Sequence, residues 1–148
     1  GLDPQTRRQL WELVERLRSA GKTIVLTTHY MEEAERLCDR VAIVDHGRRI
    51  ALGTPRELIA SLGAGHVVEF QLDGEMPEEG FFSGMPGVRG VHRNASTVRL
   101  QADPVHDVLP ALLAGLAERR LVPGELRTHS ATLEDVFVAL TGRHLRDD

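Results

Sequence analysis

A short apolar stretch that ends at a histidine constrains this sequence more than any other feature. Thr23–Thr28 is a run typical of a β-strand, and His29 follows it directly. Residues 30–37 then have the acidic first turn of a helix. Because the strand is apolar at consecutive positions, we expect it to be buried on both faces, inside a parallel sheet. Ligands of such sheets bind beyond the carboxyl ends of the strands, so His29 is the first candidate for chemistry.

A histidine between a strand and a helix also has a structural interpretation. It can cap the helix, or it can donate a single hydrogen bond from a partly buried position. The position of His29 alone leaves both roles open. The motifs around it have to decide between them.

The flanking segments predict part of a parallel α/β sheet. Asp3 and Pro4 are typical of a helix start, and the apolar residues that follow at helical spacing predict a helix lying on a sheet. Val41–Val44 is a second apolar strand, which completes a parallel strand, helix, strand crossover unit. Residues 45–48 predict a tight hairpin turn, so Arg49–Leu52 should return as an antiparallel edge strand.

A second unit is predicted after a glycine hinge. Thr54–Glu57 matches a capping box that opens a short helix, and Gly63–Gly65 follows as the hinge. From residue 66 the pattern predicts strand, helix, strand, strand, helix, strand, which is the ferredoxin-like α+β arrangement, and then a last helix. The predicted segments are Val67–Leu72, Glu79–Ser83, Val88–Arg93, Thr97–Gln101, a helix starting at Asp103-Pro104 or at Asp107, Pro123–His129, and a helix capped by Thr132. We therefore expect domains at residues 1–62 and 66–142, with a flexible tail at 143–148.

Composition argues against several classes of function. Lysine and arginine total 18 against 22 for aspartate and glutamate, a formal net charge of -4, and the arginines do not line one helical face, so we expect no nucleic-acid partner. No apolar run approaches the roughly 20 residues of a membrane-spanning helix. The seven histidines lack the spacing of a metal site. The single cysteine, Cys38, is predicted to be a small buried hydrophobic residue and not a nucleophile.

Four motifs, read in order, resemble the end of the ATPase domain of an ATP-binding cassette (ABC) transporter. They are Gly1-Leu2-Asp3-Pro4, the run Thr-Thr-His-Tyr-Met-Glu-Glu-Ala-Glu at 27–35, Cys38-Asp39-Arg40-Val41, and Gly53-Thr54-Pro55. The resemblance covers residues 1–62 without a gap. The remainder of the chain, which ends in Thr132–Phe137 and Leu140–Arg143, resembles the accessory C-terminal domain of ATPase subunits from drug-resistance and multidrug exporters. We therefore expect the chain to be a C-terminal fragment of such a subunit.

The resemblance implies roles for individual residues. His29 matches the switch histidine, which hydrogen-bonds the γ-phosphate of ATP and helps to hold the attacking water. Hydrolysis of this kind depends on positioning and charge stabilisation, which a donor at the end of a strand can provide. Gly1, Leu2 and Asp3 match the loop that crosses to the partner subunit. For the intact protein the resemblance implies ATP with Mg²⁺, a second ATPase subunit in a homodimer, a transmembrane permease, and a cytoplasmic location at the inner face of the membrane.

Several family motifs are absent from the sequence. The phosphate-binding loop, the glutamine loop, the signature motif and the acidic Walker B strand are not present, and the catalytic glutamate is expected just before Gly1. Gly21-Lys22-Thr23 resembles the end of a phosphate loop, but Arg16 stands where its first glycine should be and a strand should precede it. We therefore expect this chain alone to bind ATP negligibly and to hydrolyse none. Its strands should lack their neighbours, so we also expect self-association through residues 1–62.

Two other interpretations belong to different classes. The chain could be a non-catalytic regulatory or dimerisation module, because ferredoxin-like domains commonly bind effectors or pair through their edges, and fold alone does not assign function. It could also be part of a flavodoxin-like domain with a histidine at a strand end. The flavodoxin-like interpretation leaves the four motifs unexplained.

Overall fold

The chain is mixed α/β with two antiparallel sheets. The computed structural model describes residues 3–142, and of Glu79 only the backbone. The helices are α1 (Pro4–Ser19), α2 (Met31–Leu37), α3 (Pro55–Ala60), α4 (Glu79–Ser83), α5 (Val105–Glu118) and α6 (Leu133–Thr141). The strands are β1 (Val41–Asp45), β2 (Arg48–Gly53), β3 (His66–Leu72), β4 (Val88–Asn94), β5 (Thr97–Ala102) and β6 (Pro123–Ser130).

The two sheets differ in size and position in the chain. β1 and β2 form a hairpin, and the other four strands form a sheet in the order β4-β5-β3-β6. All neighbouring strands in both sheets are antiparallel. The element order predicted from residue 66 onward is therefore present in the structure.

The predicted strand at Thr23–Thr28 is wrong for this chain. Residues 22–28 have no regular secondary structure, and Val25 is 92% exposed. A strand requires a hydrogen-bonded neighbour, and β1, the expected parallel partner in the crossover unit, pairs only with β2 in the described part of the chain. The predicted parallel sheet is consequently not formed.

The first helix begins as predicted but packs differently. The carboxylate of Asp3 caps α1, and Pro4 is its first residue. The helix was expected to lie on a sheet, yet Leu13 and Leu17 are 44% and 41% exposed. The buried residue of α1 is Trp11, whose ring lies 4.9 Å below the guanidinium of Arg36 from α2. Among residues 3–142 no sheet forms from residues 22–28, and α1 packs on α2.

The capping box and the hairpin turn predicted from the sequence are present in the structure. In the capping box of α3, Glu57 donates its N–H to Thr54 Oγ1 at 3.2 Å, and Glu57 Oε2 accepts from the N–H of Thr54 at 2.8 Å. The β1–β2 turn has positive φ at His46 and Gly47, as a type I′ hairpin turn requires. These contacts join residues close in sequence, which is why the pattern alone could predict them.

Two apolar cores hold the described residues together. The first lies between the four-stranded sheet and helices α4 and α5, and the second joins α2, β1, α3 and α6. The first comprises Val68, Phe70, Leu72, Phe82, Val98, Leu100, Ala102, Val108, Leu112 and Leu116. The second comprises Ala34, Val41, Ile43, Leu58, Leu133, Val136 and Phe137. The last helix therefore packs on the N-terminal part of the chain.

Cys38 lies at the edge of the second core. Its side chain is only partly buried and packs against the core residues. Burial raises the pKa of the Cys38 thiol, and the neighbouring charge of Asp39 adds to this rise. A raised pKa keeps the thiol protonated, which agrees with the packing role predicted for it.

Candidate functional site

The predicted switch histidine is accessible to solvent. His29 follows residues 22–28, which have no regular secondary structure, and precedes Tyr30, the N-cap of α2. The His29 side chain is exposed. The rings of His29 and Tyr30 are tilted by 36° to each other, with their centroids 4.2 Å apart. The backbone N–H of Tyr30 donates to Thr28 Oγ1 at 3.0 Å, which bends the chain around His29. An exposed imidazole in this place can contact a ligand from solvent.

The carboxylate of Glu33 connects the histidine segment, residues 28–30, with α1. Thr28 donates its hydroxyl hydrogen to Glu33 Oε2 at 2.8 Å, and the indole N–H of Trp11 donates to Glu33 Oε1 at 3.3 Å. The Nε of Arg7 lies 3.5 Å from the same Oε1, and the Glu33 side chain is 14% exposed. The sequence pattern predicts Glu33 only as part of the acidic first turn of a helix. Trp11 is the signal that points to a further role for a nearby acceptor, because a buried indole N–H requires one.

The second predicted site residue has a well-defined capping role. Asp3 Oδ1 accepts from the backbone N–H groups of Gln5 and Thr6, both at 3.0 Å, and Asp3 Oδ2 accepts from the Thr6 hydroxyl at 2.6 Å. The Thr6 hydroxyl, followed by the Thr6 N–H, holds the pKa of the Asp3 carboxyl below its ordinary value. Gly1 and Leu2, predicted for the same loop, lie outside the described residues.

Helix α1 brings the Asp3 end of the chain and the histidine segment together. Arg7 donates its backbone N–H to the carbonyl of Asp3 at 3.0 Å, one turn into the helix. Its guanidinium carbon lies 4.6 Å from the centre of the Tyr30 ring, a cation–π contact. The two predicted site regions are thus joined through one helix and not through a direct contact of Asp3 with His29.

A second polar cluster, between the four-stranded sheet and α6, was not predicted. Arg99 contacts Glu69 Oε2 through Nε, and its Nη1 lies 3.6 Å from Asp135 Oδ1. Arg127 Nη2 lies 2.9 Å from Glu69 Oε1, and His129 Nε2 lies 3.3 Å from Asp135 Oδ2. Glu69 and Asp135 are buried, and buried charges of this kind are tolerated when they are paired. The cluster holds α6 in place on the sheet.

Glu35 makes the other connection of α2. Its Oε2 accepts a hydrogen bond from the backbone N–H of Leu133 at 3.1 Å. Leu133 is the first residue of α6, where backbone N–H groups have no partner within the helix. Helix α2 is therefore bonded to α1 through Glu33 and to α6 through Glu35.

The described residues were compared with the requirements of a metal site and of a membrane-spanning helix. Among residues 3–142 no group of three or more His, Cys, Asp or Glu side chains is arranged to hold a metal ion. In the same part of the chain no helix is both long and apolar enough to cross a membrane.

Comparison with known proteins shows which proteins this chain is similar to in sequence. No protein-family model matches it. Nod factor export ATP-binding protein I of Ralstonia nicotianae is 44% identical over 149 residues, covering 99% of this chain and 45% of that protein. Daunorubicin/doxorubicin resistance ATP-binding protein DrrA of Streptomyces peucetius is 40% identical over 154 residues, covering 100% of this chain and 45% of that protein. Over nearly its whole length, the chain is similar to ATP-binding proteins of ABC exporters.

The similarity extends to a third ATP-binding protein. Linearmycin resistance ATP-binding protein LnrL of Bacillus subtilis is 34% identical over 152 residues, covering 99% of this chain and 48% of that protein. The chain thus spans about half the length of the curated relatives it matches. Two resemblances are confirmed: the one to an ABC transporter ATPase subunit, predicted from the four motifs, and the one to drug-resistance exporters, predicted from the end of the chain.

Proposed function

We propose that the protein to which this chain belongs hydrolyses ATP to drive export through a membrane permease. The observation that carries the proposal is the accessible imidazole of His29, at the position of the switch histidine in a run of matching motifs. The names of the relatives support it, since they describe ATP-binding proteins for Nod factor export and for drug resistance. Those substrates belong to the relatives, and the class we propose for this protein is export in general.

In the proposed mechanism, the His29 imidazole donates a hydrogen bond to the γ-phosphate of ATP and helps to hold the attacking water. Such hydrolysis needs little covalent chemistry from the protein, because positioning and charge stabilisation lower most of the barrier. A donor held beside the developing negative charge contributes through electrostatic stabilisation. The exposure of His29 is compatible with this role.

The fit of ATP and Mg²⁺ to these residues is partial. The chain offers one accessible imidazole for a phosphate, has no glycine-rich phosphate loop, and has no described acidic group arranged to hold a metal ion. We propose that the remaining contacts to ATP and Mg²⁺ come from other parts of the protein. On this proposal the chain alone does not hydrolyse ATP.

The proposed assembly follows from the same family pattern. The segment Gly1-Leu2-Asp3 would contact a second ATPase subunit of a homodimer, and the permease would hold the protein at the inner face of the membrane. We propose residues 1–62 as part of the nucleotide-binding domain, 66–142 as an accessory domain and 143–148 as a tail. The order β4-β5-β3-β6 with antiparallel neighbours supports a ferredoxin-like class for the accessory domain. Helix α6 then fastens this domain to α2 and α3.

The proposal is tested by replacing His29 with alanine in the full-length protein. We expect ATP hydrolysis to fall by about 100-fold or more, the range for removing one transition-state donor, while nucleotide binding is retained. His106→Ala is the control, because His106 is an exposed histidine on α5. Measurements of kcat by phosphate release and of nucleotide affinity by titration separate the two effects.

Unchanged hydrolysis in the His29→Ala protein would instead favour a non-catalytic regulatory or dimerisation module. The four-stranded sheet is the observation on that side, since its edge strands β4 and β6 each have one neighbour in the described chain. An unpaired edge can accept a strand from another chain.

A further inference from the structure

We propose that Glu33 is a positioning residue that holds His29 in its working orientation. The inference rests on the proposed function of His29 and adds a second residue to it. Glu33 accepts hydrogen bonds from Thr28 and Trp11, and lies within ion-pair distance of Arg7. None of these contacts involves the histidine ring itself, so Glu33 acts through the backbone that carries the ring.

The hydroxyl of Thr28 is the link between Glu33 and His29. It donates to Glu33 Oε2 at 2.8 Å and accepts a hydrogen bond from the backbone N–H of Tyr30 at 3.0 Å. The residues directly before and after His29 are therefore both held by the Thr28 hydroxyl. The donation to Glu33 fixes the direction of the hydroxyl and leaves a lone pair for Tyr30. Fixing residues 28 and 30 restricts the backbone from which the imidazole projects.

In this chain, the segment before His29 is held by the bond of Thr28 to Glu33. Residues 22–28 have no regular secondary structure. The carboxylate of Glu33 instead ties the segment to α1, through the indole of Trp11, which is 8% exposed. Hydrogen bonds to an ionised group are stronger than those between neutral groups, and Glu33 is held against the packed side of α1. Glu33 is therefore bonded both to α1 and to the segment that carries His29.

A purely structural role for Glu33 predicts a different outcome. Glu33 lies in the first turn of α2, where an acidic residue stabilises the helix dipole. Glu32 lies in the same turn and is exposed. If dipole stabilisation were the whole role, Glu32→Gln and Glu33→Gln would have similar effects. A difference between them therefore excludes dipole stabilisation as the whole role of Glu33, and the variants at Thr28 separate positioning of His29 from the docking of α1.

The test compares these variants in the full-length protein. We expect Glu33→Gln to lower kcat for ATP hydrolysis by roughly 10-fold to 100-fold, the scale for misplacing a catalytic group. The nucleotide KM should stay within about twofold, because uniform binding is not removed. Glu32→Gln should match the wild type. Trp11 is the only tryptophan of the chain, and its fluorescence emission in the isolated chain should shift with Glu33→Gln and not with Glu32→Gln.

A second pair of variants tests the link at Thr28. Thr28→Ser keeps the hydroxyl and should retain the wild-type kcat, whereas Thr28→Val removes it and should lower kcat as Glu33→Gln does. Because both changes break one interaction, the double variant should be no worse than either single variant. This pair decides the question even if Glu33→Gln prevents folding.

The outcomes separate the two proposals. If His29→Ala abolishes hydrolysis while Glu33→Gln and Thr28→Val keep the wild-type kcat, the positioning role is overturned and the function of His29 stands. Equal losses in Glu32→Gln and Glu33→Gln also overturn the positioning role. If His29→Ala leaves hydrolysis unchanged, the proposed function fails and the role of Glu33 fails with it.

Discussion

At the scale of single residues, the Thr6 hydroxyl stabilises the charged form of the Asp3 carboxyl. It is the largest cause of the lowered pKa of the Asp3 carboxyl. A carboxyl with a lowered pKa in the folded state contributes stability above its ordinary pKa, and this contribution is lost as the pH falls through the lowered value. In Thr6→Ala the pKa of Asp3 should rise toward its ordinary value, so the contribution should be smaller and its loss should be complete at a higher pH. Carboxyl ¹³C chemical shifts across an acid titration measure this directly.

Gln5→Ala is the matched control for this titration. The contact of Gln5 with Asp3 is through its backbone N–H, which alanine keeps. The pKa of Asp3 should therefore be unchanged in Gln5→Ala. Equal shifts in both variants would show that the hydroxyl of Thr6 is not the cause.

Residue-scale prediction from sequence succeeded where the contacts are local. Asp3 was recognised as a cap because its hydrogen bonds reach only two and three residues along the chain. Glu33 was missed because its bond to Trp11 spans 22 residues, and the bond from Leu133 to Glu35 spans 98. Such contacts depend on how helices pack, which no local pattern contains.

At the scale of helices and strands, the difference between local and long-range contacts explains why the strand predicted at Thr23–Thr28 is wrong. The elements from Thr54 onward follow capping boxes, turns and apolar periodicity, and the structure has them close to the predicted bounds. Thr23–Thr28 has the composition of a buried strand, but composition does not supply a neighbour to pair with. The sequence therefore predicted which residues favour a strand, and pairing decided which of them form one.

The hydrogen bond from α6 to Glu35 should contribute measurably to stability. Leu133 is fully buried, so its N–H loses its acceptor in Glu35→Ala and cannot readily find water. We expect the free energy of unfolding to fall by about 1–3 kcal/mol, the cost of an unsatisfied buried group. Urea denaturation followed by circular dichroism gives this value.

The exposed Glu32 of the same helix provides the comparison for Glu35. Glu32→Ala should change the free energy of unfolding by no more than about 0.5 kcal/mol, as is usual for surface positions. A loss in Glu35→Ala no larger than in Glu32→Ala would mean that the bond to Leu133 contributes little to the docking of α6.

At the scale of the whole molecule, α6 joins two parts that otherwise have separate cores. Its apolar face belongs to the second core, with α2, β1 and α3, while Asp135 reaches Arg99 of the four-stranded sheet. The chain order alone suggested that this helix belongs with the domain before it. Its contacts place it between the two cores, so a change at α6 should affect both.

The exposed apolar face of α1 should make the isolated chain self-associate. Leu10, Leu13 and Leu17 lie on one side of this helix at 39–44% exposure, and Val25 nearby in sequence is 92% exposed. Neighbouring exposed apolar side chains favour association, because contact between chains removes them from water. The sedimentation coefficient of the wild-type chain should therefore rise with concentration, and Leu13→Lys should reduce the rise. Leu113→Lys is matched in exposure, 45% against 44%, but lies on α5, so it should leave the association unchanged. A wild-type chain that stays monomeric at all concentrations would show that this face does not drive association.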